Sequence, residues 1–255
     1  MNTKIIAVAN HKGGVGKTTS VSSLGSILAQ KGYKVLLIDL DAQANLTTSL
    51  VGNVEGNTIY DVLKGTQSTL PVINITDTLK LVPASLNLAM VDVELSTAIA
   101  REKILADILH QNDVEHQYDY VLLDCPPSLG LLTLNAFAAC TDIIIPLVCE
   151  VLPFMGLTMI NDFTAMVEKR LNPHCHITGI LITRWEASKL SRNIESKLRA
   201  ALGSLVYDTK IRKNIRLAEA PLEGRSITDY DDKSNGAKDY AAFAEEFTKK
   251  MEEQL

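Results

Sequence analysis

The feature of this chain that most constrains its fold is a glycine-rich segment near the amino terminus, Lys12-Gly-Gly-Val-Gly-Lys-Thr-Thr19. An apolar run, Ile5-Ile-Ala-Val-Ala9, precedes this segment, and residues 17–31 have a helical pattern. A buried strand that turns through glycines into a helix directs several backbone N–H groups at one point, beside the positive end of the helix dipole. The segment therefore predicts a phosphate-binding loop.

Short apolar runs alternate with helix-like patterns along the rest of the chain. The predicted strands are Ile5–Asn10, Val35–Leu40, Leu79–Val82, Tyr120–Asp124, Ile143–Leu147 and Ile177–Thr183. The predicted helices are Lys17–Lys31, Val93–His110, Leu131–Ala139, Leu157–Arg170, Leu190–Leu202 and Ala237–Glu253. Continuous apolar runs indicate strands buried on both faces. We expect one α/β domain over residues 1–255, with a doubly wound, mostly parallel sheet, helices on both faces and a surface excursion at 52–78.

The amino-acid composition limits the classes of protein to which this chain could belong. The net charge of −5 argues against a chain that is basic throughout, and 46% apolar residues can form a sizeable core. Four cysteines occur without any Cys-x-x-Cys pair, which suggests reduced thiols and no zinc or dithiol site. The longest apolar stretch, 143–160, contains Glu150 and two prolines, so we expect a strand, a loop and a helix there and no membrane span.

Three carboxylates close predicted strands. Asp39 and Asp41 end the run that begins at Val35, and Asp124 ends the run that begins at Tyr120. Ligands of parallel sheets bind beyond the carboxyl ends of the strands, where the glycine-rich loop also begins. We expect these side chains to converge with the loop on one magnesium nucleotide.

Each group then has an expected role. Lys17 would reach the terminal phosphates, and the Thr18 hydroxyl would bind Mg²⁺ directly. Asp124 would hold a water on the ion, Asp39 would support the waters of the ion, and Asp41 would orient the attacking water. Taken singly, Asp39 and Asp41 are equally compatible with solvated turns, and Asp124 with a helix cap.

Lys12 is unusual because a phosphate loop needs only one lysine. At the start of the loop its side chain is expected to point away from the pocket of its own subunit, so it fits better in the site of a neighbouring copy. The Gly13-Gly14 pair would leave room for two backbones to approach across the nucleotide. On its own, such a residue is more often a simple surface lysine.

The segment Lys12–Thr19 resembles the deviant Walker A motif of the ParA/MinD ATPases. The similarity extends from residue 4 to about 250. It includes Asp39-Leu-Asp-Ala-Gln43, Asp124-Cys-Pro-Pro-Ser128, Ile145-Pro-Leu-Val-Cys-Glu150 with Gly156, and Ile211-Arg-Lys-Asn-Ile-Arg-Leu-Ala-Glu-Ala-Pro221 with Gly224. The last segment is similar to one typical of ParA and Soj partition proteins.

The resemblance implies an ATPase that needs ATP and Mg²⁺ and forms a homodimer when ATP binds. Lys12 would cross the interface, Lys17 would bind phosphate and Asp41 would serve hydrolysis. The nucleotide would contact Lys12, Gly13, Gly14, Val15, Gly16, Lys17, Thr18 and Thr19, with Arg212 and Asn214 near the adenine. Slow hydrolysis, stimulated by a centromere-binding ParB-type partner, and a cytoplasmic, nucleoid-associated location are also implied. Because the chain begins at its first strand, we expect no amino-terminal helix-turn-helix domain.

Basic residues are concentrated between positions 184 and 216, where nine lysines and arginines face three acidic residues. Helical spacing places Leu190, Ile194, Leu198 and Ala201 on one face of a helix. The predicted DNA contacts lie elsewhere on this segment: Lys189, Arg192, Arg199 and Arg216. From the residues alone, a solvated charged face and a phosphate-contacting face are equally good interpretations, and the resemblance favours sequence-independent DNA binding.

Two other functions stay open. A MinD-like membrane-cycling ATPase needs a basic amphipathic tail, but the tail 243–255 has four glutamates and two lysines. An electron-transfer ATPase similar to the nitrogenase iron protein needs cysteines that bridge a cluster between subunits, and Cys125 directly follows Asp124 without a Cys-Gly-Gly context. Both are less well supported than DNA partition, and no membrane partner is expected.

Overall fold

The computed structural model describes residues 3–150 and 153–253. The strands in these ranges are β1 (Lys4–Val8), β2 (Val35–Asp39), β3 (Ile73–Asn74), β4 (Leu79–Val82), β5 (Tyr120–Asp124), β6 (Asp142–Val148), β7 (His176–Trp185) and β8 (Val206–Arg212). The α-helices are α1 (Lys17–Gln30), α2 (Asn45–Val51), α3 (Ile59–Leu63), α4 (Val91–Glu94), α5 (Ile104–Gln111), α6 (Val114–Gln117), α7 (Leu131–Ala139), α8 (Pro153–Arg170), α9 (Lys189–Leu202), α10 (Arg216–Glu219), α11 (Ile227–Tyr230) and α12 (Asn235–Glu252). Short 3-10 helices occur at Leu86–Met90, Gly203–Leu205 and Ala220–Glu223.

The strands form an eight-stranded sheet in the order β3-β4-β2-β5-β1-β6-β7-β8. Neighbouring strands are parallel throughout, except that the edge strand β3 runs antiparallel to β4. The predicted α/β class with a mostly parallel sheet is confirmed. The carboxyl ends of β2, β5 and β1 are adjacent, which brings the segments that follow them to one edge.

Successive residues of the central strands pack into two separate cores, because side chains alternate between the two faces of a sheet. In β1, Ile5 and Ala7 belong to one core, whereas Ile6 and Val8 belong to the other. Helices α3, α5, α7, α8 and α9 cover the first face. Helices α1, α2 and α12 cover the second. Burial on both faces explains why these strands are almost entirely apolar.

The apolar stretch 143–160 divides into a strand and a helix, as predicted. Strand β6 ends at Val148 and helix α8 begins at Pro153, a favoured residue for the first turn. The loop predicted between them includes residues 151–152, which lie outside the described residues. No helix in the described ranges has both the length and the apolar character that crossing a bilayer requires.

The predicted helix over 93–110 is wrong. Helix α4 ends at Glu94 and α5 begins only at Ile104, with Ala100 between them in the left-handed region at φ 53°. Asn135 of α7 stabilises this break, because its amide donates to the Arg101 carbonyl at 2.8 Å and accepts from the Leu105 N–H at 3.0 Å. A contact from a distant helix therefore overrides the local helical pattern.

Several further elements were not predicted. Strand β8 at the far edge of the sheet combines buried Val206 and Ile211 with exposed Asp208, so it lacks the continuous apolar run of the inner strands. The region 52–78 is only partly a surface excursion, since it contains α3 and β3 and buries Ile59 and Leu70 in the first core.

Close contact between β7 and β8 generates a stability prediction. A Cβ atom on Gly179 would lie 2.1 Å from Cε2 of Tyr207, a buried ring that cannot easily move. We expect Gly179→Ala to lower the free energy of unfolding by about 1–3 kcal/mol through overpacking. Chemical denaturation measures this change. Gly13→Ala, which places the same methyl where nothing lies within 4 Å, is the control; equal stability of both variants would contradict the packing.

Candidate nucleotide site

The three acidic residues that were predicted to converge do lie at one edge of the sheet. Asp39 and Asp124 are register partners at the ends of β2 and β5, and Val8 of β1 is opposite Asp124 on its other side. Asp41 follows two residues after Asp39 and lines the same cavity as the glycine-rich loop. This cavity has a volume of about 810 Å³.

The glycine-rich loop has the backbone conformation that a phosphate site requires. Gly14 and Gly16 have φ angles of 73° and 89°, in the left-handed region that L side chains rarely occupy. Helix α1 starts at Lys17, directly after Gly16, and the N–H of Ser20 donates to the Gly16 carbonyl at 2.9 Å. The amino terminus of α1 therefore opens into the cavity, where its dipole favours an anion.

Carbonyl groups of the loop are bound by the strand next to it. The Thr183 hydroxyl of β7 donates to the Val15 carbonyl at 2.7 Å, and Nη1 of Arg184 donates to the Gly14 carbonyl at 3.1 Å. These two bonds restrict the rotation of the peptide groups, so the loop is held in one conformation before any ligand arrives.

Lys17 is only 7% exposed, although lysines are rarely buried without a partner. Its Nζ donates to the Lys12 carbonyl at 3.4 Å. Burial lowers the pKa of Lys17, while the charges of Asp124 and Asp41 act in the opposite direction. A buried ammonium at the start of α1 is a strong attractor for a phosphate group.

Asp124 is the most informative acidic residue. It is 1% exposed, and neither carboxylate oxygen accepts a hydrogen bond of good geometry from the described residues. Burial and the nearby Asp39 carboxylate raise the pKa of Asp124 well above its usual range, and the neighbouring Thr18 hydroxyl and Lys17 ammonium only partly oppose this. A buried carboxylate without partners indicates a missing cation or water.

Asp39 has a different environment. Its Oδ2 accepts from both the backbone N–H and the hydroxyl of Thr47, at 2.9 and 2.7 Å, and its Oδ1 accepts from the Asp41 N–H at 3.1 Å. Burial raises its pKa to about 6, which these hydrogen bonds partly offset. Asp39 thus ties the segment after β2 to the start of α2, and its oxygens are already engaged within the chain.

The residues present fit a magnesium nucleotide. Thr18 and Asp124 supply a hydroxyl and a carboxylate, the hard oxygen ligands that Mg²⁺ uses while it keeps several waters. In the described part of the chain, no group of three or more His, Cys, Asp or Glu side chains is placed to enclose a metal. The donor set of Thr18 and Asp124 therefore suits an ion that the nucleotide helps to hold.

The far end of the cavity is formed by the segment after β8. Arg212 and Asn214 line it, but their side chains are held by other residues. The Arg212 guanidinium donates to both carboxylate oxygens of Asp239 of α12, from Nη2 to Oδ1 at 2.6 Å and from Nε to Oδ2 at 2.9 Å. Asn214 Oδ1 accepts from the Arg216 N–H at 2.9 Å. Apolar wall residues here, such as Leu217, were missed because their spacing carries no distinct signal.

Lys12 lies outside the cavity that its own loop forms. Its ammonium is paired with the carboxylate of Glu150, which follows β6, and both side chains are about half exposed. Both partners are thus accessible to solvent.

The predicted DNA contacts fall into two groups. Lys189 and Arg192 are exposed on α9. Arg199 is instead half-buried and bonded to Glu195 and to the Tyr207 carbonyl, at 3.2 and 3.0 Å. Arg216 is paired with two acidic residues, Glu219 and Asp231.

The predicted buried stripe of α9 is also partly wrong. Leu190 is 49% exposed and Ala201 is exposed, whereas Ser191, Ile194 and Leu198 are buried. The helix is therefore rotated relative to the prediction, because Arg199 and Glu195 pack toward β8 through Lys210, which bonds Glu195 at 2.8 Å.

A glycine-rich loop at the start of the first helix, with acidic residues after two neighbouring strands, defines a P-loop nucleoside triphosphatase fold. A family model described as an AAA domain matches residues 3–177. The chain belongs to this family, within its Soj/ParA group of partition ATPases. The sequence resemblance to the ParA/MinD ATPases is thereby confirmed.

Similar proteins support this assignment. The chain is 40% identical to the sporulation initiation inhibitor protein Soj of Bacillus subtilis, over 95% of this chain and 97% of that protein. It is 39% identical to the chromosome partitioning protein ParA of Caulobacter vibrioides, over 95% and 93% of the two chains. Among solved structures, cobyrinic acid a,c-diamide synthase of Mycobacterium smegmatis with bound ATP analogue and magnesium has a TM-score of 0.85 and 32% identity, with 99% of this chain and 97% of that chain covered.

The unpartnered carboxylate generates a pH-dependent prediction. Because the pKa of Asp124 is raised in the folded chain, the folded state binds this proton more tightly than the unfolded state does, so the carboxyl group costs stability at high pH. We expect Asp124→Asn, without nucleotide, to raise the free energy of unfolding by about 1–2 kcal/mol at pH 8. The advantage should shrink as the pH falls and the parent carboxyl becomes protonated.

Denaturant titrations at several pH values measure this effect. Asp142→Asn is the matched control, because Asp142 is equally buried but has Lys4 and the Thr141 hydroxyl as partners. A parent chain as stable as Asp124→Asn at pH 8 would show that Asp124 carries no unpaired charge.

Proposed function

We propose that this protein is an ATP-dependent, dimerising partition ATPase that binds DNA without sequence specificity and acts with a ParB-type partner in the cytoplasm, on the nucleoid. The observation that carries the proposal is the buried Asp124, whose carboxylate accepts no hydrogen bond of good geometry from the described residues and lies near Thr18 and Lys17 of the phosphate loop. Relatives named as a chromosome-partitioning ATPase Soj and a chromosome partitioning protein ParA support the biological role.

The chain's own residues divide the work of hydrolysis. The amides of the loop and Lys17 bind the phosphates, and Thr18 with Asp124 would hold Mg²⁺, which neutralises charge on the transferred phosphoryl group. Asp41 lies at the cavity wall and accepts the N–H of Gln43 through one oxygen, at 3.0 Å. Its other oxygen is available to orient the attacking water. Asp39 acts indirectly, by fixing the segment that carries Asp41.

Lys12 supports the dimeric part of the proposal. Its ammonium is turned away from its own cavity and rests on Glu150, an exposed pair of the kind worth at most about 1 kcal/mol. Such a contact is easily exchanged for a triphosphate in a second copy. Each site of the dimer would then contain the Lys17 of one chain and the Lys12 of the other.

A mixing experiment tests this arrangement. Lys12→Ala and Asp41→Ala should each hydrolyse ATP poorly alone. In a mixed dimer, the site of the Lys12→Ala chain keeps its own Asp41 and receives Lys12 from its partner, so one complete site is restored. Random pairing of the two chains should recover about a quarter of the parent ATPase rate. Phosphate release measures the rate.

Lys17→Ala mixed with Lys12→Ala is a useful comparison, because it should restore one site in the same way. If mixing the Lys12→Ala and Asp41→Ala chains gives no more activity than the sum of the two alone, Lys12 acts within its own subunit and the dimer model fails.

DNA binding is proposed for the exposed face of α9. Lys189 and Arg192 lie on this face, together with Lys197, whereas Arg199 is committed to intramolecular bonds. Phosphate contacts release counterions, so affinity should fall steeply with salt. Two copies held together by ATP would double the number of contacts, which makes retention on DNA depend on ATP.

We expect Lys189→Ala with Arg192→Ala to weaken ATP-dependent DNA binding about tenfold or more and to reduce its salt dependence, while ATP binding stays intact. Fluorescence anisotropy with a nonspecific duplex measures both. Lys238→Ala with Lys249→Ala removes two exposed charges from α12 and should leave binding near the parent value. Equal losses in the two double variants would mean that α9 is not the contact surface.

The alternative functions fit the structure less well. A membrane-cycling ATPase would need the apolar face of the last helix, but Phe243 and Phe247 of α12 are fully buried in the second core. A subunit-bridging iron–sulfur cluster would need thiols at the surface, and the four cysteines, Cys125, Cys140, Cys149 and Cys175, are all buried. Both observations support partition over these alternatives.

A further inference from the structure

Arg184 has an unusual backbone at the edge of the candidate nucleotide site. It lies near the end of β7 with φ 49°, in the left-handed region that costs an arginine free energy relative to ordinary strand geometry. This conformation turns the chain so that the side chain reaches the Gly14 carbonyl of the phosphate loop. Arg184 also lines the cavity together with Lys17 and Thr18. A strained residue held at a cavity wall indicates a functional role there.

The guanidinium of Arg184 is less committed than those of Arg212 and Arg216, two arginines near the site. Its Nη1 donates to the Gly14 carbonyl at 3.1 Å, and in the described ranges no carboxylate lies within ion-pair distance. By contrast, Arg212 and Arg216 are each bound by carboxylates. The Arg184 side chain is exposed to the cavity, so most of its five N–H donors are free to bind a ligand.

Glu150, an acidic residue whose pKa the Arg184 charge influences, is already paired with another cation. Glu150 contacts the Lys12 ammonium, and this contact, with a smaller effect from the Arg184 charge, lowers the pKa of Glu150. Glu150 therefore does not engage the Arg184 guanidinium in an ion pair.

We propose that Arg184 is a phosphate-binding residue, supplied by the same chain, that contacts the polyphosphate of a nucleoside di- or triphosphate in addition to Lys17. This inference rests on the proposed nucleotide site, and it adds a second intrachain cation, beside Lys17, to the wall of the cavity. Guanidinium groups suit this task because their planar set of donors matches phosphate oxygens. The bond to Gly14 positions the group before the ligand binds.

The competing explanation is that Arg184 only braces the loop through the Gly14 carbonyl. Two variants separate these roles. Arg184→Gln keeps an N–H donor for that carbonyl and loses the charge, whereas Arg184→Lys keeps the charge. Arg101→Gln is the matched control, because Arg101 also donates to a backbone carbonyl, that of Ser96 at 2.5 Å, but lies outside the cavity.

Affinities for ADP and a nonhydrolysable ATP analogue, measured by calorimetry with Mg²⁺ at low and high salt, decide the question. Loss of a charged contact should make Arg184→Gln bind about tenfold or more weakly, with a smaller deficit at high salt, and Arg184→Lys should recover part of the loss. Arg101→Gln should bind as the parent does. Thermal unfolding verifies that each variant is folded.

Parent-like binding by Arg184→Gln would overturn the phosphate contact and leave only the bracing role. An equal loss in the Gln and Lys variants at both salt concentrations would overturn it as well, since charge would then be irrelevant. A parent chain that binds neither nucleotide would instead refute the proposed nucleotide site itself, so the two failures can be told apart.

Discussion

The candidate site depends on the backbone N–H groups of the loop that precedes α1, which are fixed in one conformation at the amino terminus of that helix. Left-handed Gly14 and Gly16 shape this loop, and bonds from Thr183 and Arg184 to its carbonyls fix it from outside. Peptide groups fixed in this way need no reorganisation when an anion arrives, which is the condition for tight electrostatic binding. The parallel sheet serves this loop by placing β1 beside β5, which ends at Asp124, with β2 and its Asp39 in the next position.

Charge burial around the loop comes at the expense of stability. Lys17 and Asp124 are both almost fully buried, and the pKa of each is shifted toward its neutral form. Uncompensated buried charges destabilise a fold, and two extensive apolar cores on either side of the sheet offset that cost. A ligand that supplies phosphate and a cation together would satisfy both side chains at once, so binding and stability are coupled.

Much of this arrangement could be predicted from sequence, because it follows from local rules. Glycines before Lys17 and carboxylates after apolar runs identify the loop, the strand ends and the parallel sheet. What could not be predicted depends on distant contacts. Hydrogen bonds from Asn135 stabilise the break in the helix that was expected over 93–110. The exposed Asp208 interrupts the apolar pattern of β8, so the sequence does not indicate a strand there. Whether a basic side chain stays without a carboxylate partner among the described residues, as that of Arg192 does, or is held by acidic residues, as that of Arg199 is, is likewise set only by tertiary packing.

A crystal structure of the protein with Mg²⁺ and a nonhydrolysable ATP analogue tests the central claim most directly. We expect phosphate oxygens within hydrogen-bond distance of the amides between Gly13 and Thr18, with the ion at the Thr18 hydroxyl and near Asp124. We also expect two chains facing each other across the nucleotides, each with Lys12 in the other's site. A nucleotide bound away from the loop, or a loop that stays empty at saturating ligand, would contradict this arrangement.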